Sequence, residues 1–197
     1  CWGGNNRRQV TSATVSRVLD PTLVGHGYTW KSVQVGNAST CALRNSGALL
    51  CWGENGHGQL GDSTTVDRDL PTASASSVDV WDSLAVGYSH GCAIATDGAM
   101  HCWGRNSGGE IGDGTGDKRT TPVQEDTENT DWIFVESSAS ANCALTQAGQ
   151  LYCWGENESY RLTGDEDYYV VPTIESSMAS TWTDVGIGLR HACGLQS

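Results

Sequence analysis

Positive charge is scarce in this chain: 11 Lys and Arg stand against 23 Asp and Glu, a net charge of −12 over 197 residues. Such a field repels phosphate backbones, which excludes nucleic acid as a partner. The acids are dispersed through loops such as Asp165-Glu166-Asp167, the pattern of a surface that keeps a chain soluble. No apolar run approaches the ~20 residues of a membrane-spanning helix. There is no initiator Met, no basic and apolar leader and no targeting tail, so the chain reads as a mature segment or a fragment. Helical periodicity of useful length is missing, and so are cysteines spaced two to four residues apart, which removes zinc and leaves no cofactor to expect.

What the chain does have is repetition. Cys-Trp-Gly recurs at Cys1-Trp2-Gly3, Cys51-Trp52-Gly53, Cys102-Trp103-Gly104 and Cys153-Trp154-Gly155. A period of about 51 divides the chain into units of roughly 1–50, 51–101, 102–152 and 153–197, stacked as one repeat domain.

Six of the eight cysteines form pairs ten apart: Cys41 and Cys51, Cys92 and Cys102, Cys143 and Cys153. Inside each pair a glycine, Gly47, Gly98 or Gly149, holds the same place in a turn. It suits a three-residue hairpin loop that needs one left-handed residue. If residue 44 pairs with 48, then 43 faces 49, 42 faces 50 and Cys41 faces Cys51. Opposed residues of an antiparallel pair lie ~4.5 to 5.5 Å apart at Cα, within disulfide reach. One bridge per hairpin, each closing a loop of ~11 residues, stabilises by roughly 2.5 to 3 kcal/mol. Such regular bridging implies an oxidising compartment, hence a secreted or cell-surface protein.

Cys1 and Cys193 remain. Aligning Cys193 with Cys143 and Cys1 with Cys153 makes the two ends halves of one hairpin. Three readings stay open: a piece of a longer array, a four-unit ring latched by a Cys1 to Cys193 bridge, or an end-to-end oligomer in which that hairpin forms between chains.

All eight tryptophans occupy two repeat positions: Trp2, Trp52, Trp103 and Trp154 in the signature, and Trp30, Trp81, Trp132 and Trp182 at the start of a strand. Each buried indole removes some 150 to 250 Å² from water, so both sets are expected in the core. Short strands, tight turns and two indoles per unit describe an all-β ring or stack of small antiparallel sheets.

The segment Cys-Ala-Leu-Arg-Asn-Ser-Gly-Ala-Leu-Leu-Cys-Trp-Gly-Glu-Asn-Gly-His-Gly-Gln-Leu-Gly-Asp, residues 41–62, resembles the regulator of chromosome condensation repeat. Its cysteine-paired form is similar to repeats of bacterial secreted or surface proteins. The resemblance covers essentially the whole chain and implies a β-propeller, usually of seven blades, with about four ~51-residue repeats present here.

Several residue patterns invite chemistry. Gly87-Tyr88-Ser89-His90-Gly91 matches a nucleophile elbow, but a strand rather than a helix is expected after it. His90 and His191 occupy equivalent places, where a hydrogen-bonded structural role is expected. Asp62, Asp113 and Asp165 follow a glycine in the long loops and invite calcium, though without the alternating ligands of a calcium loop; solvated turns are the expected reading. Asn37-Ala38-Ser39 and Asn157-Glu158-Ser159 are glycan acceptor sequons. Tyr160, Arg161, Tyr168 and Tyr169 supply the residue types favoured at binding hot spots. Loops with unit-specific sequences, Asp117-Lys118-Arg119 and Glu125-Asp126-Thr127-Glu128 among them, offer further surfaces.

Shared residues build the scaffold, and function is expected where the units differ. The reading is a non-enzymatic, secreted or cell-surface propeller module that binds a protein, a glycan or itself. A structural subunit of an extracellular fibre or surface layer is the alternative, and a proteinaceous enzyme inhibitor a lesser one.

Overall fold

A computed structural model describes residues 1–157, 162, 167–175, 177 and 179–197. The strands come in groups of four that follow the repeat. One sheet holds β3 (Trp30–Val35), β4 (Ser39–Arg44), β5 (Leu49–Gly53) and β6 (Arg68–Ala73); the next holds β7 (Trp81–Val86), β8 (His90–Ala95), β9 (Met100–Gly104) and β10 (Arg119–Gln124). The third holds β11 (Trp132–Ser137), β12 (Ala141–Thr146), β13 (Leu151–Glu156) and β14 (Tyr168–Ile174). Each is a meander of antiparallel neighbours, the blade of a propeller. At the flanks stand two half-blades, β1 (Gly3–Gly4) with β2 (Arg17–Val18), and β15 (Trp182–Ile187) with β16 (Ala192–Gln196). Units that begin at Cys51, Cys102 and Cys153 therefore start inside the third strands β5, β9 and β13, so each unit runs from one blade into the next.

Register in that hairpin follows the predicted ladder, with Leu43 opposite Leu49, Ala42 opposite Leu50 and Cys41 opposite Cys51. Cys92 faces Cys102 and Cys143 faces Cys153 in the same way. All three pairs are disulfides with Cα atoms 4.1 Å apart. The turn glycines take the left-handed backbone the loop demands, φ being 84°, 85° and 74° at Gly47, Gly98 and Gly149. There is a second reason for glycine here: a Cβ on Gly98 would come within 2.2 Å of the Thr130 carbonyl oxygen in the connection to the next blade.

Successive first strands, β3, β7, β11 and β15, touch one another and form the inner wall, while β6, β10 and β14 lie outermost. The outer strands are edges. Each carries a proline, Pro71, Pro122 or Pro172, and each has a register shift against its neighbour. Proline removes a donor and a bulge disrupts the ladder, so these edges are poor templates for further pairing.

The hydrophobic core lies between blades. Leu43, Leu49, Leu60 and the Cys41–Cys51 bridge of one blade meet Trp81, Leu84, Val86 and Trp103 of the next. Trp52, Trp81, Trp103, Trp132 and Trp154 are buried as expected. Trp30 and Trp182 are only half-buried, and Trp2 is 66% exposed. The expectation of eight core indoles therefore fails for Trp2 and Trp182 in the flanking half-blades and for Trp30 on β3, the first strand of the first complete blade, because an indole is covered here by the adjoining sheet and not by its own. Cys1 and Cys193 are likewise free and exposed, so the latch between them is not formed in this structure.

Trp103 gives the cleanest test of inter-blade packing: its Nε1 donates to the Gln59 carbonyl at 2.9 Å with the side chain fully buried. Trp103→Phe should lower unfolding free energy by about 1–3 kcal/mol, since it orphans a buried acceptor. Trp2→Phe should change it by less than ~0.5 kcal/mol; urea titration followed by tryptophan fluorescence reads both.

Candidate interaction surface

After each Cys-Trp-Gly the chain must leave the third strand, cross to the neighbouring blade and return as the fourth strand. An asparagine organises this excursion. Asn55 is fully buried and its amide nitrogen donates to Asp62 Oδ1, to the Thr64 and Val66 carbonyls and to Thr64 Oγ1, while its oxygen accepts from Leu60 N. Asn106 repeats the pattern with Asp113, Thr115, Asp117 and Ile111. Asn5 accepts from Val10 and Thr11, and Asn157 accepts from Leu162. The consequence is a plug: Val10, Leu60, Ile111 and Leu162 are all buried. The indoles of the signature then clip the loops down, Trp52 Nε1 reaching the Gln9 carbonyl at 2.9 Å and Trp154 Nε1 the Glu110 carbonyl at 3.0 Å.

This frame absorbs most of the candidate chemistry. Asp62 accepts from Asn55, Thr64 and Arg68 Nε, the last at 2.6 Å, and Asp113 accepts likewise from Asn106, Thr115 and Arg119. Calcium loses its ligands to these partners. Burial raises both carboxyls, but the hydrogen bonds from threonine and arginine outweigh it and hold them below the ordinary value. Asp165 lies outside the described residues. The Asn157 sequon is corrected too: a side chain buried to 1% exposure and hydrogen-bonded into the loop has no room for a glycan. Asn37 is exposed on a turn.

Ser89 sits in a buried turn between two strands, with no helix to lift it. His90 is buried, and its Nε2 lies 2.9 Å from Asn142 Oδ1 of the next blade. Asn142 Nδ2 in turn donates to the Glu110 carbonyl. The histidine is thus a tie between blades, whereas His191, its counterpart in the flanking half-blade, is exposed. Glu125, expected on a variable surface loop, is buried and accepts from Trp132 Nε1 and Thr127 N.

What remains outside the frame gathers at one end of the blades. Strand direction places the turns at 36–38, 87–89, 138–140 and 188–191 there, with the start of each long loop beside them. The inner turns are tied in sequence around the rim, Asn37 N donating to the Tyr88 carbonyl and Tyr88 N to the Ala139 carbonyl. At one repeat position the units then present Asn37, Tyr88, Ala139 and Leu189, with Tyr88 51% and Leu189 65% exposed. The outer part of the same face carries exposed Ser107, Asp117 and Lys118, and Tyr168 at 58% exposure. Of the four predicted binding residues, Tyr168 lies on this surface, Tyr169 packs between blades, and Tyr160 and Arg161 lie outside the described residues. Tyr88 went unnoticed as a binding residue because it sits inside a motif that suggested catalysis, although its variation between units marks it.

The description "Regulator of chromosome condensation (RCC1) repeat" matches residues 30–59, 81–110 and 132–161, and a second form of it matches 46–94. The chain belongs to the RCC1 repeat family. It is 28% identical over 169 residues to the E3 ubiquitin-protein ligase HERC2 of mouse, covering 83% of this chain and 4% of that protein. To the ultraviolet-B receptor UVR8 of Arabidopsis thaliana it is 28% identical over 200 residues, covering 96% of this chain and 45% of the receptor. The chain thus spans less than half the length of these curated relatives. Among solved structures it superposes on human WBSCR16 with a TM-score of 0.85 at 18% identity, covering 99% of this chain and 53% of that one. On yeast RCC1 (Prp20), solved bound to Kap60, the TM-score is 0.83 at 24% identity, covering 100% and 49%. These structures establish the propeller-blade fold.

Because Asp62 and Asp113 titrate below their unfolded range, the stability they contribute is complete above about pH 4 and is lost as pH falls through their folded values. Asp62→Asn with Asp113→Asn should therefore reduce stability at pH 7 and flatten its decline below about pH 4, read by chemical denaturation across pH.

Proposed function

We propose that this RCC1-repeat propeller segment is a non-enzymatic interaction module that binds another protein through the face bearing Asn37, Tyr88, Ala139 and Leu189. One observation carries the reading: in the complete blades the signature tryptophans, cysteines and loop asparagines are buried in the frame, while the residue at one turn position of the rim, Asn37, Tyr88, Ala139 or Leu189, differs in every unit. Rigid blades hold those turns in place, so the ordering cost on binding is small. An exposed tyrosine at the centre of such a rim is an apt anchor, offering area with little rotamer entropy.

The compartment proposed is oxidising, secreted or cell-surface, and three buried disulfides at directly opposed strand positions support it. A glycan partner would use the same rim. Residue roles lend catalysis no support: His90, Asp62 and Asp113 hold the frame together, and Ser89 lies in a buried turn between two strands.

Tyr88→Ala should leave the melting temperature within ~1 °C and weaken partner binding at least about tenfold, a hot-spot-sized loss. The partner pool is the secreted proteins and surface glycans of the source organism, captured on immobilised wild-type chain and compared with the variant. Captured species retained equally by the variant, and lost instead on substitution of exposed Asp97 at the opposite end, would overturn the assignment of the face.

A further inference from the structure

In three of the long loops one position is marked by its own hydrogen bond. Arg7 N donates to Gln9 Oε1, His57 N to Gln59 Oε1 and Gly108 N to Glu110 Oε2, at 2.9, 2.9 and 2.8 Å. The carbonyls of those same acceptor residues receive the indole N–H of Trp52, Trp103 and Trp154. Across the joint stands the residue after each Cys-Trp-Gly, Glu54, Arg105 or Glu156, whose backbone N–H donates to the Ala38, Ser89 or Ser140 carbonyl. The three joints thus share one backbone frame and differ in the two side chains that meet over it.

In the first joint those side chains are Arg7 and Glu54: Arg7 Nε lies 3.3 Å from Glu54 Oε1, and its Nη1 lies 3.7 Å from Asp67 Oδ2. In the second they are His57 and Arg105, with no acid at either position. The third keeps the acid, Glu156, but has Gly108 in place of the arginine. A Cβ on Gly108 would stand 3.1 Å from Glu156 Cβ, so a side chain there would start out against the glutamate as Arg7 does. Instead a hollow of about 570 Å³ opens, lined by Ser107, Gly108, Glu156, Asp167 and Tyr168. Beneath it lies Glu110, a carboxyl where the other loops carry the neutral Gln9 and Gln59. Glu110 is fully buried; its Oε2 is 3.5 Å from that Cβ point, and its Oε1 accepts no hydrogen bond among the described residues and lies 3.5 Å from Arg105 Nε. Three carboxyls therefore gather at one joint of a chain whose net charge is −12, a field that draws in cations.

We propose that the hollow beside Gly108 receives an arginine side chain of a partner protein, its guanidinium standing against Glu156 and Asp167 as that of Arg7 stands against Glu54 and Asp67. The inference rests on reading this face as the binding surface and adds the chemistry of what binds there. A planar guanidinium forks between carboxylate oxygens and stacks on aromatic rings, which suits a hollow walled by two acids and the exposed Tyr168 better than the point charge of an ammonium does.

The probe is the peptide acetyl-Gly-Arg-Gly-amide, titrated into isotope-labelled chain and followed by nuclear magnetic resonance, beside a second peptide with the uncharged isostere citrulline in place of arginine. Saturable shifts are expected at the Gly108 amide and at Tyr168, with a Kd of about 1–10 mM, and the citrulline peptide should bind at least about fivefold more weakly. Gly108→Arg, which supplies from within what Arg7 supplies in the first joint, should abolish the shifts. Asp167→Asn, at an exposed position, should weaken the peptide about two- to fivefold with an unchanged melting temperature. Equal binding of the citrulline peptide, shifts that persist in Gly108→Arg, or no saturable shift up to ~50 mM peptide would each overturn the proposal. So would a captured partner protein that the Gly108→Arg chain retains undiminished. The part played by Tyr88 is judged by Tyr88→Ala alone, so the two readings fail separately.

Discussion

One donor and one acceptor organise this molecule: the indole N–H of the Cys-Trp-Gly tryptophan and a carbonyl in the long loop of the preceding unit. The bond forms three times, from Trp52, Trp103 and Trp154 to residues 9, 59 and 110. Each ties a strand of one blade to the loop of another, so it fixes both the spacing of blades and the path of the loop. The buried asparagine then folds that loop around its own apolar plug. With the interior of each joint dry and every polar atom of the asparagine satisfied, little freedom remains for the turns at the rim. Recognition on that rim is thus preorganised by contacts that never meet the partner.

Much of this was legible in the residue order. The ten-residue cysteine spacing with a glycine at its centre predicted strand, turn, strand and even the facing pairs, because antiparallel geometry leaves one register that closes the bridge. Tryptophan spacing gave the core, but not who covers whom: burial at Trp30, Trp182 and Trp2 depends on the next sheet, a non-local fact. The asparagines were visible yet unread. Asn5, Asn55, Asn106 and Asn157 recur as strictly as the tryptophans, but a polar residue in a loop invites a solvent-exposed reading, and nothing local says that its amide turns inward. The same blindness made Asn157 a candidate sequon and Asp62 a candidate ligand. The site was less legible than the fold, since variation between units points to a face only after strand directions have put the varying turns at one end.

Among the described residues, the main contacts between blades join nearest neighbours. A blade is held by its own ladder and disulfide and by two joints, so cooperativity passes along the row one joint at a time. His90 and Asn142 add a polar tie to the joint between the second and third complete blades, where the corresponding pair at Ser39 and Gly91 has none of that length. The joints are alike in outline and unequal in detail.

The prolines on the outer strands have an evolutionary corollary. A sheet whose fourth strand refuses a fifth does not widen, so such a chain is expected to grow by whole modules of about 51 residues. Shorter insertions are tolerated best in solvent-facing stretches, such as that near Gly116 and Lys118, past the plug and clear of the indole bond. Diversity in this architecture is therefore expected to be quantised in the number of blades and continuous in the loops between strands.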